Sequence, residues 1–231
     1  MSRDDTIIYR LSRDGQPIAE YVSRFDEKYS VIVSDGIPGE WARLENCQCT
    51  NCPYSNAERK YCPVALAIGE ILFAVDDGVS TDVVLCEVST SVREYRCSLP
   101  YQKAISSLIG LRMATSGCSK FAFLKPMARM HLPFATLEET IVRNSAFFLF
   151  GGFFANPKAS IESRLDELTD NFRELAEVNK ALISRVRSTL KKGDIHRNAM
   201  IVLDSFSQVL SMGERRGSTF VKDLLLEHHA D

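Results

Sequence analysis

The spacing of apolar residues changes along this chain, and that change constrains the fold more than any other feature. Up to about residue 98 the apolar residues fall in short runs separated by turn signals, and beyond it they recur at steps of three and four. The first pattern is typical of paired strands and the second of helices that bury one face. We therefore predict an α+β fold, in which a small antiparallel β-rich N-terminal half with a Cys-rich loop packs on a C-terminal helical bundle.

The domain organisation follows from the same change of pattern. Residues 1–98 form a β-rich region that carries the cysteine loop and one helix, and residues 99–231 form a helical region. The chain has 231 residues, of which 45% are hydrophobic, and this is enough for one sizeable core. We expect the two regions to form one integrated globular unit.

Strand-like runs bounded by turn residues make up the N-terminal half. Asp14-Gly15 is a hairpin signal between the first two runs. The runs are residues 6–11, 18–22, 29–33, 82–88 and 91–98, of which the last two also form a hairpin. Pro63 is suited to the first turn of a helix over residues 64–75.

Capping residues divide the C-terminal half into helices. Thr136 and Glu139 form a capping box, which predicts a helix running from there towards residue 150. Ser98 is expected to cap a helix that ends near residue 115, and Asp194 to cap the helix 195–212. The other predicted helices begin at Asn156-Pro157, ending near residues 191–193, and at residue 218, ending near 228.

Four of the seven cysteines lie within sixteen residues, at the spacing Cys47-x-Cys49-x2-Cys52-x9-Cys62. A Cys-x2-Cys pair closes a tight loop that can place two sulfurs on one ion. We expect Cys49, Cys52 and Cys62 to converge on a metal, with zinc as the predicted cofactor. An iron–sulfur cluster is the alternative, since sulfur ligands alone do not separate the two. Reduced buried cysteines without a metal are a third reading.

The fourth ligand has two candidates. Cys47 is nearest, and in an extended segment it would share a face with Cys49. Cys118 follows Ser116 and Gly117 in a turn, from which its thiol could approach the loop.

The motifs around these cysteines resemble those of a family of uncharacterised bacterial proteins. They are Cys49-x2-Cys52-Pro53, Cys62-Pro63, residues 113–118 (MATSGC) and residues 131–136 (HLPFAT). The resemblance covers most of the chain. It implies Cys49, Cys52, Cys62 and Cys118 as the metal ligands, because Cys47 falls outside the motifs and remains the alternative. It implies no activity.

The segment around Cys118 also carries four basic side chains. Lys120, Lys125, Arg129 and His131 either form an anion pocket or solvate one side of a loop.

The helix predicted over residues 161–190 carries an apolar stripe at heptad spacing. The stripe comprises Leu165, Leu168, Phe172, Leu175, Leu182 and Val186, with Asn179 at one polar position. Such a seam is typical of a homodimer or of contact with a protein partner. The alternative is an antiparallel hairpin with residues 195–212, which have a matching stripe.

Several function classes lack their sequence signals. The net charge is -2, so we expect no nucleic-acid partner. The longest apolar run, residues 146–155, is about half of a membrane span, and a signal segment is not expected. Phosphate-loop, dinucleotide and hydrolase motifs are missing, so no catalytic residues are assigned. Cysteines without a secretion signal favour the reducing cytoplasm. We predict a metal-binding protein with a regulatory or scaffold role, or alternatively an iron–sulfur or thiol redox sensor.

Overall fold

The computed structural model describes residues 6–33, 39–74, 78–189 and 194–211, and side chains within the last range only in part. It has a four-stranded antiparallel sheet followed by helices, which confirms the α+β fold. The strands are β1 (Thr6–Arg13), β2 (Gln16–Arg24), β3 (Val83–Ser89) and β4 (Glu94–Pro100). The helices are α1 (Gly39–Ala42), α2 (Pro63–Phe73), α3 (Tyr101–Ala114), α4 (Lys125–Arg129), α5 (Leu137–Ala155), α6 (Ile161–Thr189) and α7 (Ile195–Ser211). A 3₁₀ helix, Ser119–Leu124, precedes α4.

The sheet has the order β2-β1-β3-β4, with every neighbouring pair antiparallel. Both predicted hairpins are confirmed, and Asp14 and Gly15 adopt the positive φ angles that their tight turn requires. Alternate residues of β1, namely Ile7, Tyr9 and Leu11, are buried. This period of two places one face of the sheet in the core.

Helices α2 and α3 supply the other side of that core. Pro63 begins α2 as expected, and Ile68 and Ile71 in its middle are fully buried. In α3, Ile105 and Leu108 belong to the same cluster of buried residues. The β-rich and helical regions therefore share one hydrophobic core.

The predicted third strand at residues 29–33 was wrong. Asp26 accepts backbone N–H groups from Lys28 and Ser30, and Tyr29 has a φ of 55°, so this segment turns sharply. Only Val31 makes an isolated bridge, to Phe25. A short polar side chain that binds its own backbone competes successfully with strand formation here.

Two helix starts also differ from expectation. Ser98 lies inside β4, which continues directly into α3, and Pro100 occupies the N-cap position. Asn156 ends α5, donating its N–H to the carbonyl of Gly152, and α6 begins only at Ile161. In contrast, the capping box of Thr136 and Glu139 is present at the start of α5 as predicted.

The apolar stripe of α6 is buried within the chain. Leu168, Phe172, Leu175, Leu182 and Val186 are all buried, and α6 packs extensively against α7. This arrangement matches the helical-hairpin alternative.

Asp194 stands at the start of α7 and also binds another part of the chain. Its carbonyl accepts the N–H of Asn198, while its carboxylate accepts hydrogen bonds from the backbone and hydroxyl of Ser80. The helix predicted at 218–228 lies outside the described residues. Among the helices described, none is long and apolar enough to cross a membrane.

Candidate metal centre

The cysteine-rich loop spans residues 43–62 and is closed at its neck. The N–H of Leu44 donates to the carbonyl of Lys60, and the N–H of Cys62 donates to that of Ala42 at 2.7 Å. The Arg43 and Tyr61 backbones pair as an isolated bridge. The loop therefore leaves and re-enters the fold at one place, with Cys62 fixed at its end.

Cys49 and Cys52 lie on one tight turn within this loop. The N–H of Cys52 donates to the carbonyl of Cys49 at 3.1 Å, and the Cys52 thiol is near enough to raise the pKa of Cys49. The pKa of Cys49 is raised to about 12, mainly by burial and then by the neighbouring sulfurs of Cys52, Cys62 and Cys118 in that order. A metal-free Cys49 therefore retains its proton at neutral pH.

Cys62 and Cys118 reach this turn from outside it. Cys62 is the N-cap of α2, and its carbonyl accepts the N–H of Leu66. Cys118 is buried and follows Gly117, whose φ of +82° lets the chain turn before the 3₁₀ helix. Burial raises the pKa of Cys118, and the thiols of Cys62 and Cys52 add to the shift. The four thiols are thus close enough for their charges to act on one another.

Polar contacts hold the loop against the helical region. The Tyr54 hydroxyl donates to the carbonyl of Gly117 at 3.2 Å, next to Cys118. Asn51 donates from Nδ2 to the carbonyl of Glu174 on α6, at 2.9 Å. Lys120 forms an ion pair of 2.6 Å with the same Glu174. The loop, the Cys118 segment and α6 therefore meet at one junction.

The remaining cysteines are not among the neighbours that shift the pKa of Cys49 or Cys118. Cys47 has a φ of 48°, and its charge acts on Arg185 but is not among those acting on Cys49 or Cys118. Cys86 and Cys97 face each other across β3 and β4, with Cys86 in the core. All seven cysteines are free thiols.

Arg185 of α6 lies beside the loop and is only 1% exposed. Its Nη1 donates to the carbonyls of Trp41 at 2.6 Å and Arg43 at 2.8 Å, while its Nε has no hydrogen-bond partner. Burial lowers the pKa of Arg185, and four nearby cysteines would oppose this shift when ionised: Cys62, Cys47, Cys49 and Cys52. The guanidinium is therefore a buried cation whose nearest counter-charges would be thiolates.

Sequence reasoning missed this role of Arg185. The sequence places it in a basic cluster with Arg187 near the end of α6, which is ordinarily a solvated helix end. Arg187 is exposed as such a cluster predicts, whereas Arg185 is buried. The sequence feature that could have predicted its burial is its position on the buried stripe, three residues after Leu182 and next to Val186.

The anion pocket considered for residues 113–136 is not assembled. Lys120 pairs with Glu174, Lys125 donates to Ser30, and Arg129 lies over the ring of Tyr29. The imidazole Nε2 of His131 is hydrogen-bonded to the hydroxyl of Tyr9. These four basic side chains are therefore dispersed to separate partners.

No three His, Cys, Asp or Glu side chains are grouped so that they could hold a metal ion as they stand, within the four ranges that the structure describes. The thiols approach one another without adopting the arrangement of a finished ligand set. A metal would have to draw the sulfurs inward and displace their protons.

These contacts define an α+β protein whose thiol-rich loop is fastened to its helical region around a buried arginine. The chain belongs to the family described as a domain of unknown function, DUF6901, whose model matches residues 7–221. No curated protein matches the chain, and neither does a solved structure. The resemblance to an uncharacterised family is thereby confirmed.

Proposed function

We propose that the protein is a zinc-thiolate protein, in which Cys49, Cys52, Cys62 and Cys118 bind one metal ion in a non-catalytic, regulatory or scaffold role. Cys47 is the alternative fourth ligand. The observation that carries the proposal is the buried guanidinium of Arg185, whose Nε has no partner and whose neighbours include the proposed ligands Cys62, Cys49 and Cys52 as well as Cys47. A buried cation without a counter-ion is strongly unfavourable, and the metal-bound thiolates of Cys49, Cys52 and Cys62 would supply negative charge at that place.

The donor set fits zinc. Structural zinc sites are commonly formed by four cysteines, with a Cys-x2-Cys pair on a tight turn and further ligands from other segments. The Cys49–Cys52 turn, the N-cap Cys62 and the buried Cys118 supply three such segments. Because Cys118 belongs to the helical region, zinc at this place would hold the loop to that region.

Metal content and absorption of protein purified without oxygen test the proposal. The expected result is one zinc per chain and a colourless protein, with cobalt substitution giving the visible absorption of a tetrahedral thiolate site. Cys49→Ser should lose the zinc, whereas Cys97→Ser, which changes a half-buried thiol on the sheet, should retain it. Protein without zinc that also fails to take up added zinc or cobalt would contradict the proposal.

A thiol redox protein is the second candidate, because Cys49 and Cys52 lie on one tight turn. Oxidation would join them as a disulfide and release two protons and two electrons. Mass spectrometry after mild oxidation would show this bond, and zinc would protect against it under the first proposal. An iron–sulfur cluster would instead give a brown protein that contains iron and sulfide.

The proposed place of action is the reducing cytoplasm, where thiolate sites persist. A protein partner or second copy that binds α6 would contact its exposed face, since the apolar stripe is buried. Glu167, Arg173 and Lys180 are among the exposed side chains there. Size measurement of the zinc-loaded protein in solution distinguishes a dimer from a monomer.

A further inference from the structure

A cavity of about 500 Å³ lies between α3, the α4 segment, the start of α5, and helices α6 and α7. Its walls are largely apolar, with Leu111, Leu124, Phe172, Leu175 and Leu203 among them. Cavities of this size and character are those that bind small molecules in proteins. It is distinct from the cysteine cluster, none of whose members line it.

The sequence of α3 leaves this space open. Ser107, Gly110 and Ala114 follow one another at steps of three and four along the helix, and all three line the cavity. Residues at such steps share one helix face, so this face of α3 presents small side chains where larger ones would fill the space. At Gly110 itself a larger side chain has little room, because a Cβ there would lie 3.3 Å from the Leu203 side chain.

The charged side chains among the described residues that line the cavity are positive. Arg143 and Lys103 line it, and the lining residues that the structure describes include neither an aspartate nor a glutamate. Arg143 is half-buried and donates one hydrogen bond, from Nη2 to the carbonyl of Met130. Glu139 is near enough to act on Arg143, but its carboxylate accepts the N–H of Thr136 in the capping box.

The other polar groups at and behind the cavity wall near Arg143 are uncharged. The pKa of His131 is lowered to about 3 by burial and by the nearby charge of Arg143, so its imidazole is uncharged at neutral pH. Behind it, the hydroxyl of Tyr9 is hydrogen-bonded to His131 and, at 2.9 Å, to the hydroxyl of Ser107, which also lines the cavity. Among the described residues that line the cavity, Arg143 and Lys103 are therefore the charged ones at neutral pH.

We propose that this cavity binds a small amphipathic anion, with an alkyl chain among the apolar walls and a carboxylate head paired with Arg143 and Lys103. A medium-chain fatty acid has this chemistry. A half-buried guanidinium with free donors can bind a carboxylate through two parallel hydrogen bonds, and partial burial strengthens such a pair. The apolar walls favour the chain by removing it from water.

Calorimetric titration with three probes of equal chain length tests the proposal: decanoate, decanol and decyltrimethylammonium. Decanoate should bind saturably at one site per chain, and the cationic probe roughly tenfold more weakly or not at all. Arg143→Gln should weaken decanoate binding by roughly tenfold and leave decanol binding unchanged. Arg173→Gln, which alters an exposed arginine of α6, is the matched control and should bind decanoate like the unaltered protein.

The position of the site is tested separately. Ala114→Phe places a ring in the cavity and should abolish binding of decanoate and decanol, with circular dichroism verifying that the variant is folded. If it is not folded, Ala114→Leu replaces it as the smaller obstruction. Equal binding of anionic and cationic probes, full decanoate binding by a folded Ala114 variant, or no saturable binding of any probe would overturn the proposal.

Discussion

Replacing Arg185 with Met tests whether this buried guanidinium serves the cysteine cluster. Met retains an unbranched apolar stem beside Trp41, while the two hydrogen bonds to the carbonyls of Trp41 and Arg43 are lost. A buried acceptor that loses its donor costs about 1–3 kcal/mol. The two carbonyls together therefore predict a loss of about 2–6 kcal/mol in the free energy of unfolding of the zinc-loaded protein.

The same substitution should lower the free energy of unfolding of the metal-free protein by a smaller amount. Without thiolates the guanidinium of Arg185 is an uncompensated buried cation, and removing it recovers part of the free energy that its burial costs. We expect the loss in stability to be smaller after chelation by at least about 1.4 kcal/mol, which corresponds to a tenfold weaker zinc affinity of the variant.

Urea unfolding with zinc and with a chelator measures both quantities. Unfolding is monitored by circular dichroism and not by tryptophan fluorescence, because the substitution alters the surroundings of Trp41. Arg187→Met is the control, since Arg187 is exposed two residues further along the same helix. It should change stability little in either state. Equal losses for Arg185→Met with and without zinc would refute the electrostatic argument, leaving Arg185 as an anchor for two carbonyls only.

Three further outcomes are expected. Cys118→Ser should lose zinc and melt like the chelated protein, whereas Cys47→Ser should keep both zinc and stability; the reverse pattern in a metal assay would make Cys47 the fourth ligand. The stability of the protein should fall as the pH falls from about 6.5 towards 3, because burial and Arg143 hold the pKa of folded His131 near 3 while the unfolded imidazole binds its proton near 6.5. His131→Gln should flatten that part of the pH profile in urea unfolding, and an unchanged slope would contradict the assignment. Thr136→Ala removes the hydroxyl that accepts the N–H of residue 139 and should cost about 1 kcal/mol in the same assay, with no change as the contrary result.

Elements of the fold could be predicted from local sequence signals where no other interaction competed with those signals. The Asp14-Gly15 turn, the start of α2 at Pro63 and the capping box at Thr136 each act within a few residues, and the structure contains all three. The segment around Tyr29 had a strand-like pattern, but the Asp26 side chain binds its backbone and imposes a turn. Spacing alone does not reveal such competition.

The cysteine cluster could be predicted only in part from the sequence. Spacing within the loop is enough to bring Cys49 and Cys52 onto one turn, because the four residues from Cys49 to Cys52 determine that geometry. Cys118 is 56 positions beyond Cys62 along the chain. It comes near the loop only through the packing of the 3₁₀ segment and α6, where Tyr54 binds Gly117.

Arg185 is harder still to predict, because two rules give opposite answers for it. An arginine near the end of a charged helix is ordinarily solvated, whereas a residue on the buried stripe of that helix is ordinarily apolar. The structure places the charged side chain on the buried stripe and leaves its Nε without a partner. A position that violates both rules needs a compensating interaction, and the thiols of the loop are the groups in place to provide it once they are ionised. The metal proposal therefore depends less on the cysteine spacing, which other reduced thiols could share, than on the cation buried beside it.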